Sequence, residues 1–114
     1  MKTVILIGAN GQLGSAIVNQ FEHTDHFWHL QRYEGPRLDD PNAVRAYLQP
    51  LQFNAVINCA AMHKLDACHV DATKAFAVNA FAVQAIADVC GHRDIPFATI
   101  SPDYVFVGYA DPDW

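Results

Sequence analysis

The sequence predicts an α/β domain: a doubly wound, parallel sheet of about four strands with helices on both faces. Short β-branched runs alternate with segments whose apolar residues recur at helical spacing, in the order β-α-β-α-β-α-β. A glycine-rich segment joins the first strand to the first helix. Because parallel strands need long crossovers, which are right-handed, this alternation places helices on both sides of one sheet.

The first βαβ unit is predicted from residues 3–32. The run TVILI at residues 3–7 is typical of a buried strand. Apolar residues then recur at helical spacing and predict a helix over residues 12–22, and the segment HFWHLQR at residues 26–32 predicts the second strand. Residues 33–40 contain a glycine and a proline and are predicted to form a loop.

The second half repeats this alternation. Asp40 followed by Pro41 is typical of a helix start, and Pro50 ends the helix that follows. AVIN at residues 55–58 predicts the third strand, residues 71–90 a long Ala-rich helix, and residues 97–100 the fourth strand. Gly91 is predicted to stop the long helix.

Composition narrows the class of protein. The chain has 114 residues, 52% of them hydrophobic, and a net charge of −5 with only seven lysines and arginines. These numbers disfavour a nucleic-acid partner, and no apolar run is long enough to span a membrane. An odd number of cysteines, Cys59, Cys68 and Cys90, favours reduced thiols in a cytoplasmic protein.

The segment GANGQLG carries the clearest functional signal. Gly8, Gly11 and Gly14 lie between the first strand and the first helix, where backbone N–H groups can approach a pyrophosphate. Gly8 suits the tight turn, Gly11 leaves room for phosphate, and Gly14 allows the helix to pack closely on the strand. The alternative is a tight turn that binds no ligand.

Four blocks in order resemble the extended short-chain dehydrogenase/reductases, in particular the dTDP-4-dehydrorhamnose reductase (RmlD-like) branch, over its N-terminal half only. The blocks are GANGQLG, VINCAAMHKLDAC, AFAVNAFAVQAIADVC and ISPDYVFVG. The resemblance implies that residues 1–114 form an NAD(P)-binding half of a Rossmann domain, with strand order 3-2-1-4 and the substrate-binding portion absent. It also implies reduction of dTDP-4-dehydrorhamnose or a similar 4-keto sugar nucleotide.

The resemblance assigns two groups of residues to the cofactor. One group surrounds the pyrophosphate, and the other consists of small or apolar residues after the third strand that allow close approach of the nicotinamide half. The members are Gly8, Gly11, Gln12, Leu13 and Gly14 in the first group, and Ala60, Ala61 and Met62 in the second.

The adenosine end of the cofactor is expected at the end of the second strand. An acidic residue there would favour NAD, whereas this chain has Gln31 and Arg32, which weakly favours NADP over NAD. Arg32 is equally explained as a solvated strand end. Arg37 and Leu38, followed by Asp39, match the family's Asp-hydrophobic pair beside the adenine, with the acidic residue lost or shifted.

The catalytic side departs from the family pattern. Pro102 stands where the family has a catalytic threonine, and Ser101 and Asp103 are the only substrate-side candidates. The family's Tyr followed four residues later by Lys is missing, since the lysines are Lys2, Lys64 and Lys74. No catalytic residue is therefore assigned, and a sugar nucleotide is expected to bind only with a C-terminal half supplied.

Two further hypotheses remain beside an incomplete reductase domain. The chain could be a non-catalytic dinucleotide-binding module, or a truncated product that needs a partner chain. For the latter, the strand edge near Val105 and Val107 is available for a homodimer. Cys59, His63, Cys68 and His69 do not have the spacing of a zinc site, and no metal is expected.

Overall fold

A computed structural model of the chain describes residues 2–60 and 80–99. The predicted alternation of strands and helices is confirmed there, and every strand pair is parallel. None of the described helices is both long and apolar enough to cross a membrane. The strands are β1 (Lys2–Ile7), β2 (Trp28–Arg32), β3 (Ala55–Asn58) and β4 (Phe97–Thr99), and the helices are α1 (Gln12–His23), α2 (Pro41–Leu48) and α3 (Ala82–His92).

The strand order is β2-β1-β3-β4, which corrects the predicted order 3-2-1-4. The third strand lies beside β1 instead of outside β2. Strand β1 is buried at every position from Val4 to Ile7 and has a neighbour on both edges, as it would in either order. In contrast, β2 is exposed or only partly buried throughout, as suits an edge strand. The chain therefore reverses its winding direction between β1 and β3.

The main hydrophobic core lies between the sheet and helices α2 and α3. Alternate residues of β1 point to opposite faces, so Ile5 and Ile7 enter this core while Val4 and Leu6 face the side that the right-handed crossover gives to α1. Helices therefore lie on both faces, as predicted. The core residues are Ile5, Ile7, Val44, Leu48, Phe53, Val56, Ile86, Val89 and Cys90.

Strand β2 begins at Trp28, two residues later than predicted, because His26 ends the preceding turn. The Trp28 N–H donates to Nδ1 of His26 at 3.0 Å, so this nitrogen carries no proton. The proton is then on Nε2, which lies 2.8 Å from the Phe21 carbonyl oxygen and donates to it. His26 thus joins the last turn of α1 to the start of β2.

Side chains form hydrogen bonds with backbone groups at both ends of helix α2. The predicted cap is confirmed, since Asp40 accepts a hydrogen bond from the Ala43 N–H at 3.2 Å. At the other end, Arg93 donates to carbonyl oxygens of Leu48, Gln49 and Leu51, the last at 2.8 Å. A cation near the C-terminal carbonyls of a helix is favourable, so Arg93 ties the end of α3 to the end of α2.

Helix α3 continues through Gly91 to His92, so the prediction that Gly91 stops it is wrong. Asp94 takes the left-handed position instead, with φ of 53°. Its N–H bonds the Gly91 carbonyl at 3.3 Å, and the Ile95 N–H bonds the Cys90 carbonyl at 2.9 Å. These two bonds form a Schellman motif, in which the left-handed residue is usually glycine.

Replacing Asp94 by glycine is expected to raise the free energy of unfolding by about 0.5–1 kcal/mol, because glycine adopts positive φ without a steric penalty. Urea unfolding of the two chains measures the difference. Asp94→Ala is the matched control, since alanine keeps the penalty and should not stabilise. A glycine variant no more stable than the alanine variant would contradict this account.

Candidate functional site

The glycine loop lies at the carboxyl end of β1 and leads directly into α1. Gly8 has φ of +83°, a conformation that other residues rarely adopt. The Gly11 N–H bonds the Gly8 carbonyl at 3.2 Å and closes the turn. The Ser15 side chain donates to the Ala9 carbonyl at 3.2 Å and holds the loop against the first helical turn.

The N-terminus of α1 has no side-chain cap. Gly11 is the N-cap residue and cannot supply one, and the first turn contains no acidic side chain. Within the described residues, the backbone N–H groups of Gln12, Leu13 and Gly14 make no hydrogen bond outside the helix. Three free donors at the positive end of the helix dipole form a site for an anion.

The loop is also packed tightly against its neighbours. A Cβ on Gly14 would lie 1.9 Å from the Gly8 carbonyl oxygen, so only glycine allows α1 to start so close to β1. A Cβ on Gly8 would lie 2.7 Å from the backbone nitrogen of Ala60. The segment after β3 therefore lies directly beside the glycine loop.

Asn58 fixes that segment. Its side chain is only 2% exposed, at the end of β3. The side-chain oxygen accepts from the Ala60 N–H at 3.0 Å, and the side-chain nitrogen donates to the Thr99 hydroxyl at 3.2 Å. The Cys59 N–H bonds the Ile7 carbonyl at 2.8 Å. These bonds join the carboxyl ends of β1, β3 and β4.

The site lies where the winding direction reverses, between the carboxyl ends of β1 and β3. Open α/β sheets bind ligands at this point, because the two crossovers leave on opposite faces and open a crevice. Cys59 borders the crevice, and burial raises the pKa of its thiol, so the sulfur stays protonated at neutral pH. The described residues contain no cluster of three or more His, Cys, Asp or Glu side chains that could hold a metal ion.

The predicted adenosine-side residues lie on β2 and on the loop that follows it. Gln31 pairs with Ile5 and Arg32 with Leu6, so both are close to the carboxyl end of β1. Arg32 is exposed. Arg37 forms an ion pair with Asp39 at 3.0 Å while its side chain stays 72% exposed, and Leu38 packs against the core.

The structure brings together the predicted residues on the glycine loop and Ala60. The two on β2 lie at the same end of the sheet, and Arg37 and Leu38 follow on the next loop. The predicted residues that lie outside the described ranges are Ala61, Met62, Ser101, Pro102 and Asp103, together with the strand edge near Val105 and Val107.

Two residues that organise the site were not predicted from the sequence. Asn58 is the lone polar residue ending a buried apolar strand, and that position was a usable signal because a buried amide needs partners. Ser15 gave no such signal, since a serine in a first helical turn is common and its bond to Ala9 depends on the loop conformation.

The chain is similar to a known protein family. Residues 1–114 match the family model described as "RmlD substrate binding domain". The "Probable low-salt glycan biosynthesis reductase Agl14" of Haloferax volcanii is 36% identical over 91% of this chain and 38% of its own length. "Methionine adenosyltransferase 2 subunit beta" of Xenopus laevis is 28% identical over 97% of this chain and 35% of its own length.

A solved structure shares the fold. The dTDP-4-dehydrorhamnose reductase of Bacillus anthracis, solved in complex with NADP, superimposes with a TM-score of 0.76 at 27% identity. The match covers 98% of this chain and 40% of the solved chain. The chain therefore spans little more than a third of the length of these relatives, and the matched part contains the glycine loop and the whole described sheet.

Proposed function

Because the chain belongs to the RmlD substrate-binding-domain family, we propose that residues 1–114 are the NADP(H)-binding half of a sugar-nucleotide reductase. Its substrate would be dTDP-4-dehydrorhamnose or a similar 4-keto sugar nucleotide. The observation that carries the dinucleotide part is the uncapped N-terminus of α1, which opens into the crevice between β1 and β3. The NADP complex of a structural relative supports the choice of dinucleotide.

In this proposal, the pyrophosphate accepts hydrogen bonds from the N–H groups of Gln12, Leu13 and Gly14. Gly8 and Gly11 leave room for the phosphate oxygens because they have no side chains. Gly8 also admits the segment at Ala60, which Asn58 holds beside the loop. Ala60, with Ala61 and Met62 after it in the sequence, would border the nicotinamide half.

The bound cofactor would supply a hydride to the carbonyl carbon of the sugar. The residues of this chain bind and orient the dinucleotide, and none is assigned to proton transfer. The sequence contains no tyrosine followed four residues later by lysine, and Pro102 has no hydroxyl. The 114 residues alone are expected to bind the dinucleotide without reducing a sugar nucleotide, whose binding would need a further half.

Calorimetric titration of the purified chain with NADPH and NADH tests the dinucleotide part. Dissociation constants in the micromolar range are expected, which correspond to about −8 kcal/mol. Adding NADPH should also raise the unfolding temperature, because a ligand that binds only the folded state stabilises it. A folded sample that binds neither dinucleotide would contradict the proposal.

Arg32 is the proposed reader of the 2′-phosphate that distinguishes NADPH from NADH. Replacing Arg32 by alanine is expected to weaken NADPH binding about tenfold, since a charge-assisted hydrogen bond contributes about 1.5 kcal/mol or more. NADH binding should stay within about twofold, because NADH has no phosphate there. Arg45→Ala is a matched control, as its guanidinium pairs with Asp88 on the outer surface. Unchanged NADPH affinity in Arg32→Ala would show that Arg32 is only a solvated strand end, and equal losses for both dinucleotides would show that it does not read the 2′-phosphate.

A second candidate is a dinucleotide-binding module without turnover. The proline at position 102 favours it, as does the similarity to a subunit of a methionine adenosyltransferase. The two candidates differ when a C-terminal half from a reductase relative is fused to the chain. Hydride transfer that increases with Pro102→Thr would favour the reductase. A fusion that binds NADPH and transfers no hydride, with Pro102 or Thr, would favour the module.

A further inference from the structure

Tyr33 holds the loop that follows β2 in one conformation. Its N–H bonds the Leu6 carbonyl at 2.9 Å, which keeps the residue in register with β1. Its hydroxyl donates to the Pro36 carbonyl at 2.7 Å. The Tyr33 side chain thus closes a short loop on itself, directly after the strand that ends with Arg32.

The loop is packed from within as well. The ring of Tyr33 meets the ring of Tyr47 edge-on, with centroids 5.1 Å apart. Gly35 lies between them, and a Cβ there would be 2.6 Å from a ring carbon of Tyr47 and 2.7 Å from one of Tyr33. Burial, followed by the neighbouring Tyr47, raises the pKa of Tyr33 to about 12, so its hydroxyl keeps its proton and remains a donor.

The far end of the loop is anchored too. Asp40, which caps α2, donates its backbone N–H to the Arg37 carbonyl at 3.2 Å. Leu38 packs against the core beside α2. The backbone of the loop is therefore fixed at the end of β2, at the start of α2, and between them by the Tyr33 hydroxyl.

The hydrogen bond from the Tyr33 hydroxyl links two residues that are each adjacent in sequence to an arginine. Arg32 directly precedes Tyr33, and Arg37 directly follows Pro36. A hydrogen bond from Tyr33 to Pro36 therefore fixes the distance between the backbone positions that carry the two guanidinium groups. Both side chains are exposed, and both lie on the segment where the adenosine end of the dinucleotide is proposed to bind. Arg37 pairs with Asp39 at 3.0 Å, so a bound phosphate would share this guanidinium with the carboxylate or replace it.

We propose that Tyr33 is a positioning residue that sets the preference for NADPH over NADH by fixing the loop backbone between Arg32 and Arg37, the two cations proposed to bind one 2′-phosphate. This inference rests on the proposed function. Two cations bind one phosphate more tightly when their separation is fixed in advance, because ordering a mobile loop on binding costs free energy. NADH has no 2′-phosphate, so its affinity does not depend on that separation.

The test compares Tyr33→Phe with the unaltered chain in titrations with NADPH and NADH. The phenylalanine keeps the ring packing and removes only the hydroxyl. We expect NADPH affinity to fall about fivefold, the typical effect of one lost hydrogen bond, while NADH affinity changes by less than about twofold. The ratio of the two affinities is the readout, since a general loss of fold would lower both together.

Tyr47→Phe is the matched control. It removes a hydroxyl from the neighbouring ring, and within the described residues that hydroxyl makes no hydrogen bond. The control should keep the NADPH-to-NADH ratio of the unaltered chain. If Tyr33→Phe does not fold, Pro36→Ala is tested in its place. This variant keeps the acceptor carbonyl and removes the constraint that proline places on φ. It should lower the same NADPH-to-NADH ratio.

The role of Tyr33 would be overturned if Tyr33→Phe bound both dinucleotides with the same NADPH-to-NADH affinity ratio as the unaltered chain. The same holds for Pro36→Ala if Tyr33→Phe does not fold. The proposed function would remain in either case. An equal loss for NADPH and NADH would also overturn the role of Tyr33, because that result indicates a purely structural role. If the folded, unaltered chain binds neither dinucleotide, the proposed function and this inference fail together.

Discussion

Replacing Gly14 by alanine is expected to lower the free energy of unfolding by about 3 kcal/mol, at the upper end for an added methyl group in a packed site. A Cβ at this position would lie 1.9 Å from the carbonyl oxygen of Gly8 and 2.9 Å from the Cα atom of Ala9. Both are backbone atoms, so no change of side-chain rotamer relieves the contact. Either α1 moves away from β1 or the glycine loop changes shape.

Urea unfolding monitored by far-ultraviolet circular dichroism measures this loss. Gly91→Ala is the matched control, because it makes the same exchange inside a helix where a Cβ would meet nothing within 4 Å. The control should stabilise the chain by about 0.5 kcal/mol, since alanine favours a helix more than glycine does. A Gly14→Ala chain as stable as the control would contradict the close approach of α1 to β1.

Local signals in the sequence were enough to predict most of the elements. The β-branched runs of β1 and β3 and the Asp40-Pro41 start of α2 lie where the sequence places them. These signals succeed because they depend on neighbours only a few residues away: an N-cap needs one oxygen near one N–H, and a buried strand needs a short apolar run.

The strand order depends on a comparison between elements. The predicted order placed the third strand outside β2, whereas β3 lies on the other side of β1. The burial of β1 and the exposure of β2 then decide which strand lies in the centre. In the sequence, β1 is an apolar run and β2 is a mixed polar and apolar run. Neither pattern alone determines the strand order.

The end of α3 shows the limit of a residue-type rule. Glycine is the usual residue at the left-handed position after a helix, and Gly91 is the only glycine near that end. The structure places Asp94 there instead, directly after Arg93, whose guanidinium donates to carbonyl oxygens at the end of α2. The end of α3 thus coincides with a contact between residues more than 40 positions apart, which the residue type at one position does not reveal.

The same limit applies to the candidate site. The glycine loop was predictable because Gly8 and Gly14 answer steric needs that arise within the loop itself: Gly8 has positive φ, and a Cβ on Gly14 would meet the Gly8 carbonyl oxygen. The bonds of Asn58 to Ala60 and Thr99 were not, because Thr99 lies on another strand and its partner is fixed only by the sheet. Residues that position a site through tertiary contacts carry little signal in a single sequence.

Replacing Gly11 by alanine separates binding from folding, which Gly14→Ala cannot do. Gly11 has φ of −76° and ψ of 176°, an extended conformation that alanine also adopts. A Cβ there would meet only the Gly8 carbonyl oxygen, at an ordinary 3.5 Å. We therefore expect the free energy of unfolding to fall by no more than about 1 kcal/mol, the usual difference between glycine and alanine at an N-cap.

Dinucleotide binding should respond far more strongly. The added methyl group would stand beside the free N–H groups of the first turn of α1, where the pyrophosphate must approach the backbone closely. We expect the Kd for NADPH and for NADH to rise about thirtyfold, which corresponds to about 2 kcal/mol. Calorimetric titration at matched folded fractions measures this change. If Gly11→Ala binds both dinucleotides as tightly as the unaltered chain, the phosphate does not lie on the glycine loop, and the helix N-terminus beside β1 has to be explained as a tight turn alone.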